Sequence, residues 1–289
     1  MGRGPRIGGD DGALSRSAVQ RVLCQTMALL RYGGTLMHVS RDEDGPIEVV
    51  DEDGVRAMHF GTSSRQSAMN LADPEQLELS YTRAMLSALL FHDSPRRILM
   101  VGLGGGSLAK YLLRQLPEAR IDVAEKRANV VKIAHGWFGL PEDPRLDIHV
   151  GDGMAFVDKA APDSYDLILV DAYHGYGMAA EIAQHAFYQR CSLLLTTGGV
   201  LATNLWGNDA PILARSLRML EEHYARPVLQ LHVQGKGNVI GLAFNRTPSN
   251  AVMKGLREKA FALQQRWGLE FVLFAKQLRR ANTAWMDWL

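Results

Sequence analysis

Cysteine is nearly absent: Cys24 and Cys191 are the only two in 289 residues. They lie far apart and match no metal-ligand spacing. That excludes a disulfide scaffold and points to a reducing, cytoplasmic compartment. An excess of charge of either sign is also missing. Lys and Arg total 32 against 31 Asp and Glu, a formal net charge of +1. The chain therefore carries no basic field for nucleic acid and no acidic tail. No apolar run reaches the roughly 18 residues that a membrane-spanning helix needs, so no membrane partner is expected. His38, His59, His92 and His149 fall at no ligand spacing, and no metal site is expected. The stretch "MGRGPRIGGDDGALSRS" lacks the apolar core of a secretory signal and reads as a disordered tail.

What is there is an ordinary globular composition, 47% hydrophobic and 22% charged. The length suits one large α/β domain or one domain with a smaller companion. Residues 1–30 read as the tail and a short helix over Val19–Leu30. Residues 31–92 read as a β-rich module with a linking helix. Within it, Ile47–Val50 and Val55–Phe60 flank Asp53-Gly54, a hairpin signal. "DPEQLELSYTRAMLSALLF" reads as a helix, with Asp73 as N-cap and Pro74 at its first position.

From residue 93 to 247 short apolar runs alternate with helical patterns. The strands are "RILMVGL", "RIDVAE", "LDIHVGD", "YDLILVDA" and "GVLATNLW". Nearly continuous apolar strands of this kind are buried on both faces of a parallel sheet. "PVLQLHV" and "NVIGLAFN" flank "QGKG" and predict a closing antiparallel hairpin at the sheet edge. Residues 248–289 form a C-terminal helical extension, beginning with one helix over "AVMKGLREKAFALQQRWG".

The chemistry concentrates at the strand ends. Ligands of open α/β sheets bind outside the carboxyl ends of the strands, near the switch in strand order. Gly102, Gly104 and Gly106 make a G-x-G-x-G turn after the first strand, and Ser107 opens a helix. Such a turn lets backbone approach a ligand closely and aims a helix N-terminus at it. Glu125 ends the second strand, where an acid can accept both ribose hydroxyls of an adenosine. Asp152, followed by Gly153, ends the third and can accept an adenine amino group; Asp171 ends the fourth. Two ligand classes remain open, a dinucleotide and an adenosyl-sulfonium compound. The cationic one gives the later carboxylates a task.

At "VGLGGGS", "AEKR", "HVGDGMAF" and "YDLILVDAY" the chain resembles the spermidine synthase, or polyamine aminopropyltransferase, family, as a divergent member. "AAEIAQHAFYQ", with its Phe187-Tyr188 pair, extends the likeness beyond the fourth strand. The resemblance implies a Rossmann-like, methyltransferase-type seven-stranded sheet with a small N-terminal β module, assembled as a homodimer or homotetramer. It implies a decarboxylated S-adenosylmethionine donor and a small-molecule amine acceptor such as putrescine. By the same resemblance Glu125 would hold the ribose and Asp152 the adenine amino group. Gln66 would reach the donor from the N-terminal module, Tyr81 would line the amine pocket, and Asp171 would orient and deprotonate the amine. His174 is a candidate base, and Tyr173 shares its loop.

The departures carry weight. Gly105, His174 and Arg83 stand where the family pattern has acids. Without an acid at 105, nothing there repels the carboxylate of intact S-adenosylmethionine. Methyl or other alkyl transfer from that cofactor is therefore a rival reading, followed by a non-catalytic adenosyl-binding module and, more distantly, a dinucleotide-dependent reductase.

Overall fold

The structure, a computed structural model, describes residue 26 and residues 30–174, 177–178 and 182–283; the side chains of 174, 177 and 178 lie outside that description. Most of the tail and helix expected over residues 1–30, and Tyr176, also fall outside the described residues.

An antiparallel sheet comes first, built from β1 (Thr35–Asp42), β2 (Gly45–Glu52), β3 (Val55–His59) and β4 (Arg65–Asn70) in sequential order. The expected hairpin is β2–β3. Asp53 and Gly54 turn it with φ of 48° and 77°, the paired left-handed conformation that suits the right-handed twist of the strands. Ile47, Val49, Met58 and Met69 on one face enter the main core.

The second sheet contains β5 (Arg97–Val101), β6 (Arg120–Glu125), β7 (Leu146–Val150), β8 (Tyr165–Val170), β11 (Leu195–Trp206), β12 (Ala225–His232) and β13 (Asn238–Phe244). Its seven strands run in the order β12-β13-β11-β8-β5-β6-β7. β5, β6, β7, β8 and β11 pair in parallel, while β13 is antiparallel to both β11 and β12. The order reverses between β5 and β8, which puts the switch point at the glycine turn. Along β5, Ile98 and Met100 pack into one core and Leu99 and Val101 into the other. Burial on both faces is why this strand has no polar alternation. Two short strands, β9 (Tyr173–His174) and β10 (Gly177–Met178), form an unexpected hairpin after β8.

The helix expected from Asp73 does not form there. α1 spans only Ser80–Met85 and passes into a 3₁₀ turn at Leu86–Leu90. Two long cations take the carbonyls that such a helix would use. Lys110 Nζ donates to Pro74 O at 2.7 Å, and Arg83 Nη1 donates to Leu77 O at 2.7 Å and Glu78 O at 3.0 Å. Asn70 Oδ1 meanwhile accepts the Ala72 and Asp73 N–H groups. Local propensity favoured a helix, and tertiary hydrogen bonds overrode it.

α2 (Ser107–Gln115), α3 (Ala128–Phe138), α4 (Gly153–Lys159), α5 (His185–Leu194) and α6 (Ala210–His223) flank the large sheet. The C-terminal segment is broken where one helix was expected. α7 (Asn250–Lys254) ends at Gly255, α8 (Leu256–Trp267) follows, and α9 (Phe271–Ala281) packs Phe271, Phe274 and Leu278 into the main core. No helix among the described residues is long and apolar enough to cross a membrane.

Lys110 joins the two sheets' surroundings. Besides Pro74 O, its ammonium donates to Phe138 O at 2.6 Å, and its side chain is buried without a carboxylate partner in those contacts. Lys110→Met keeps the stem and strands both carbonyls. Denaturant unfolding should show a loss of about 2–4 kcal/mol, the cost of buried acceptors left unmade; an unchanged midpoint would show that water replaces the ammonium.

Candidate active site

Backbone hydrogen bonds align the strand ends on one rim. Asp171 N donates to Val101 O, Gly102 N to Ala124 O, and Gly151 N to Glu125 O, each at 2.9 Å. Gly102 adopts φ of 97°, and a Cβ there would lie 2.2 Å from the Asp171 carbonyl oxygen. Only glycine lets the first turn and the Asp171 strand end approach so closely. Above this rim lies a cavity of about 940 Å³, with β4 and α1 forming the opposite wall.

Glu125 sits on the rim at the end of β6, 8% exposed. Its two oxygens accept the Leu103 and Arg127 backbone N–H groups, both at 2.9 Å. Burial pushes its carboxyl up, and the two N–H donors pull it back. Each oxygen keeps a lone pair for a hydroxyl donor. Arg127 is itself tied to the small sheet. It clasps Asp42 at 2.7 Å, donates to Gly45 O at 2.9 Å, and lies over the Phe60 ring. The β1–β2 tip and the Glu125 turn are therefore one unit.

Asp152 caps α4 by accepting the Ala155 N–H at 2.8 Å and is otherwise exposed at the cavity edge. Asp171 forms the floor. Its Oδ1 accepts from Asn204 Nδ2 at 2.9 Å, and the Tyr81 hydroxyl, which donates to Gln66 O at 3.4 Å, also faces the carboxylate. Burial raises its carboxyl above the ordinary range, and those two donors offset part of the rise. Burial likewise holds the Tyr81 and Tyr173 hydroxyls protonated far above neutral pH, and the neighbouring Asp171 charge adds to it. Tyr173 donates to Asn204 O at 2.9 Å.

Gln66, Tyr81, Gly102, Gly104, Glu125, Asp152, Gly153, Asp171 and Tyr173 thus all border one space. Gly106 does not. It is a buried helix-capping position whose Cβ would meet Leu140 at 2.7 Å. The His174 side chain lies outside the described residues, so its expected role as a base finds no placement here. Arg83 turns away from the cavity to pair with Glu270 at 3.0 Å, so it puts no cation beside the acceptor. At Gly105 a Cβ would sit 2.6 Å from the Phe138 ring and 2.8 Å from Ser67 Oγ, leaving no room for an acid.

The sequence reading missed the far arm of the cavity. Asn204, Trp206, Asp209 and Asn238 line it beyond Asp171. Asn204 and Trp206 were legible only as strand, and their sole local signal is position at the carboxyl end of β11. Spacing also missed two surface clusters, Asp122–Asp147–His149 and His185–Glu222–His223, whose possible ligand atoms lie within 4.8 Å of one another. In the second, His185 Nδ1 lies within hydrogen-bond distance of Glu222 Oε2, at 2.9 Å.

Residues 78–217 match the spermine/spermidine synthase domain. The polyamine aminopropyltransferase of Chromobacterium violaceum is 36% identical over 237 residues, covering 82% of this chain and 90% of the relative. That of Neisseria meningitidis serogroup B is 33% identical over 238 residues, with the same coverage of 82% and 90%. Among solved structures, a spermidine synthase in complex with the transition-state analogue AdoDATO superposes with a TM-score of 0.69 at 17% identity, over 88% of this chain and 89% of the other. Human methyltransferase-like protein 13 with SAH gives 0.58 at 23% identity, over 66% and 93%. These structural likenesses speak to the fold, a methyltransferase-type sheet.

Glu125→Gln preserves shape but turns an N–H toward one of two backbone donors and loses lone pairs. Calorimetry with methylthioadenosine should show binding weakened by roughly tenfold to a hundredfold, the worth of about one charged hydrogen bond. Affinity equal to wild type would show that Glu125 takes no part in holding a nucleoside.

Proposed function

The chain belongs to the spermine/spermidine synthase family, and from that premise we propose how its cavity divides the work of aminopropyl transfer. The enzyme is a transferase of the polyamine aminopropyltransferase kind. The donor we assign is decarboxylated S-adenosylmethionine and the acceptor a diamine such as putrescine. The observation that carries this reading is that Glu125, Asp152 and Asp171, spread across the sequence, line one cavity at the switch point. Its cytoplasmic location, and assembly as a homodimer or homotetramer, are parts of the same proposal, to be read by fractionation and light scattering.

When bound, the donor supplies a carbon beside a sulfonium, which departs as neutral methylthioadenosine and needs no acid. The protein's task is to deliver a neutral amine in line. Glu125 would take the ribose hydroxyls and Asp152 the adenine amino group, with the glycine turn at Gly102 and Gly104 beneath. Gln66 and Tyr81 would close the site from the small sheet and α1. Asp171 would accept a hydrogen bond from the attacking nitrogen and receive its proton as the new C–N bond forms. Amines with an ordinary pKa near 10 are charged at neutral pH, so the ammonium first sheds one proton to solvent, and Asp171 takes the next as the bond forms.

Asp171→Asn tests the assignment. Production of spermidine and methylthioadenosine should fall at least about a hundredfold, the scale of general-base loss. Stability should move the other way. The folded carboxyl has a raised pKa, so the folded state holds its proton more tightly than the unfolded chain. Stability from that group is present at low pH and lost as pH rises through the folded value. The variant should therefore melt at or above the wild-type temperature at pH 7, with the advantage shrinking as pH falls. Wild-type protein that forms neither product from these substrates would end the proposal.

The crowding of Gly105 by Phe138 favours one second reading, that the pocket also accepts intact S-adenosylmethionine. Calorimetric titration with both forms separates the two. Comparable affinities are expected; a hundredfold or greater preference for the decarboxylated form would mean that another group does the rejecting.

A further inference from the structure

We propose that Asn204 and Asn238 form an amide relay that fixes Asp171 as the acceptor facing the attacking amine. This role rests on the aminopropyl-transfer reading of Asp171. The relay's polarity follows from chemistry. An ionised carboxylate only accepts hydrogen bonds. Asn204 must therefore present its NH₂ to Asp171, and Nδ2 lies 2.9 Å from Oδ1. Its own Oδ1 then faces Asn238, which must also present an NH₂, and the distance is 3.0 Å. Reversing either amide would set two acceptors against each other.

Sheet register builds the relay. Asn204 on β11 opposes Ile240, and Asn238 on β13 opposes Trp206. The two asparagines are thus diagonal neighbours on one face of an antiparallel pair, within reach of each other's side chains. Asn204 is 2% exposed, so water cannot readily substitute for either partner. Tyr173 holds the Asn204 backbone from the other side through its carbonyl. With Oδ1 of Asp171 taken by Asn204, the amine meets the lone pairs that Asn204 and the Tyr81 hydroxyl leave unused. Asn204 and Asn238 are positioning residues, because they act through Asp171. Among the described residues the titratable groups against Asp171 are the Tyr81 and Tyr173 hydroxyls, and Asp209 and Lys236 lie further along the cavity.

The relay makes a prediction that simple packing does not. Asn238→Asp replaces a donor by an acceptor and turns the Asn204 amide over, so its oxygen confronts Asp171. In full-length protein with ¹³C-labelled aspartate, assigned through Asp171→Asn, the Asp171 carboxyl titration should rise by about one pH unit, roughly tenfold in proton affinity. Asn204→Leu should raise it as well. In the Asn204→Leu background, Asn238→Asp should move Asp171 much less than it does alone. The acid limb of kcat/KM should shift in the same direction, with kcat lowered at pH 7 and donor KM unchanged. An unchanged titration in the Asn238→Asp protein overturns the relay. So does an equal shift in the Asn204→Leu background, which would mean bare charge repulsion. Should Asn204→Leu fail to fold, Asn238→Leu replaces it, with a smaller rise expected and no rise counting against the relay. The carboxyl titration does not need turnover, so an inactive wild type would sink the transferase reading while still leaving the relay measured.

Discussion

The contact between Gly102 and the Asp171 carbonyl is the constraint on which the site depends. Two parallel strands end side by side at the reversal of strand order, and one of them must turn at once into a helix. With a separation of 2.2 Å between a Cβ at 102 and that oxygen, any side chain would push the strands apart. Asp171 N would then lose Val101 O, and the rim would no longer align. The glycine turn is thus needed by the protein's own floor before any ligand arrives. Ligand binding exploits a place where backbone is already exposed and carboxylates already face one way.

The second sheet converts that rim into an enclosed space. Arg127 ties the tip of the β1–β2 hairpin to the turn that carries Glu125, so the small sheet and that carboxylate are held in one unit. Lys110 does the equivalent on the other flank, fastening the chain at Pro74 to the end of α3 at Phe138. Phe138 in turn presses on Gly105. A single packing chain therefore links the linker segment, the helix end and the glycine turn. The crowding at 105 is a property of the whole arrangement, so introducing an acid there requires repacking a fully buried aromatic ring.

Charge is used sparingly. Among the described residues the carboxylates lining the cavity are Glu125, Asp152, Asp171 and Asp209. Asp152 and Asp209 each spend lone pairs on a helix cap, and Glu125 spends its own on two backbone donors. Asp171 alone stands at the switch point with amide and phenol donors around it. Those donors keep a half-buried carboxylate ionisable, and they also limit which of its lone pairs are available. Neutral hydrogen-bonding groups here replace additional charge, which would cost more to desolvate.

Sequence pattern by itself determined the parallel sheet, the β2–β3 hairpin, the glycine turn, and Glu125, Asp152 and Asp171 at strand ends. Each is a local matter: apolar run length, a two-residue turn, or a residue's place at the end of its own strand. The α9 stripe of Phe271, Phe274 and Leu278 was equally local and could have been read. What only the tertiary structure decided are the features made by residues far apart in the chain. Arg83 and Lys110 dissolve a helix that propensity favours, Phe138 fills the space beside Gly105, and Gly106 is withdrawn from the cavity. Asn204 and Asn238 meet only because β11 and β13 pair in one particular register. Nothing in either strand encodes which amide will face which, since that follows from the carboxylate they jointly address.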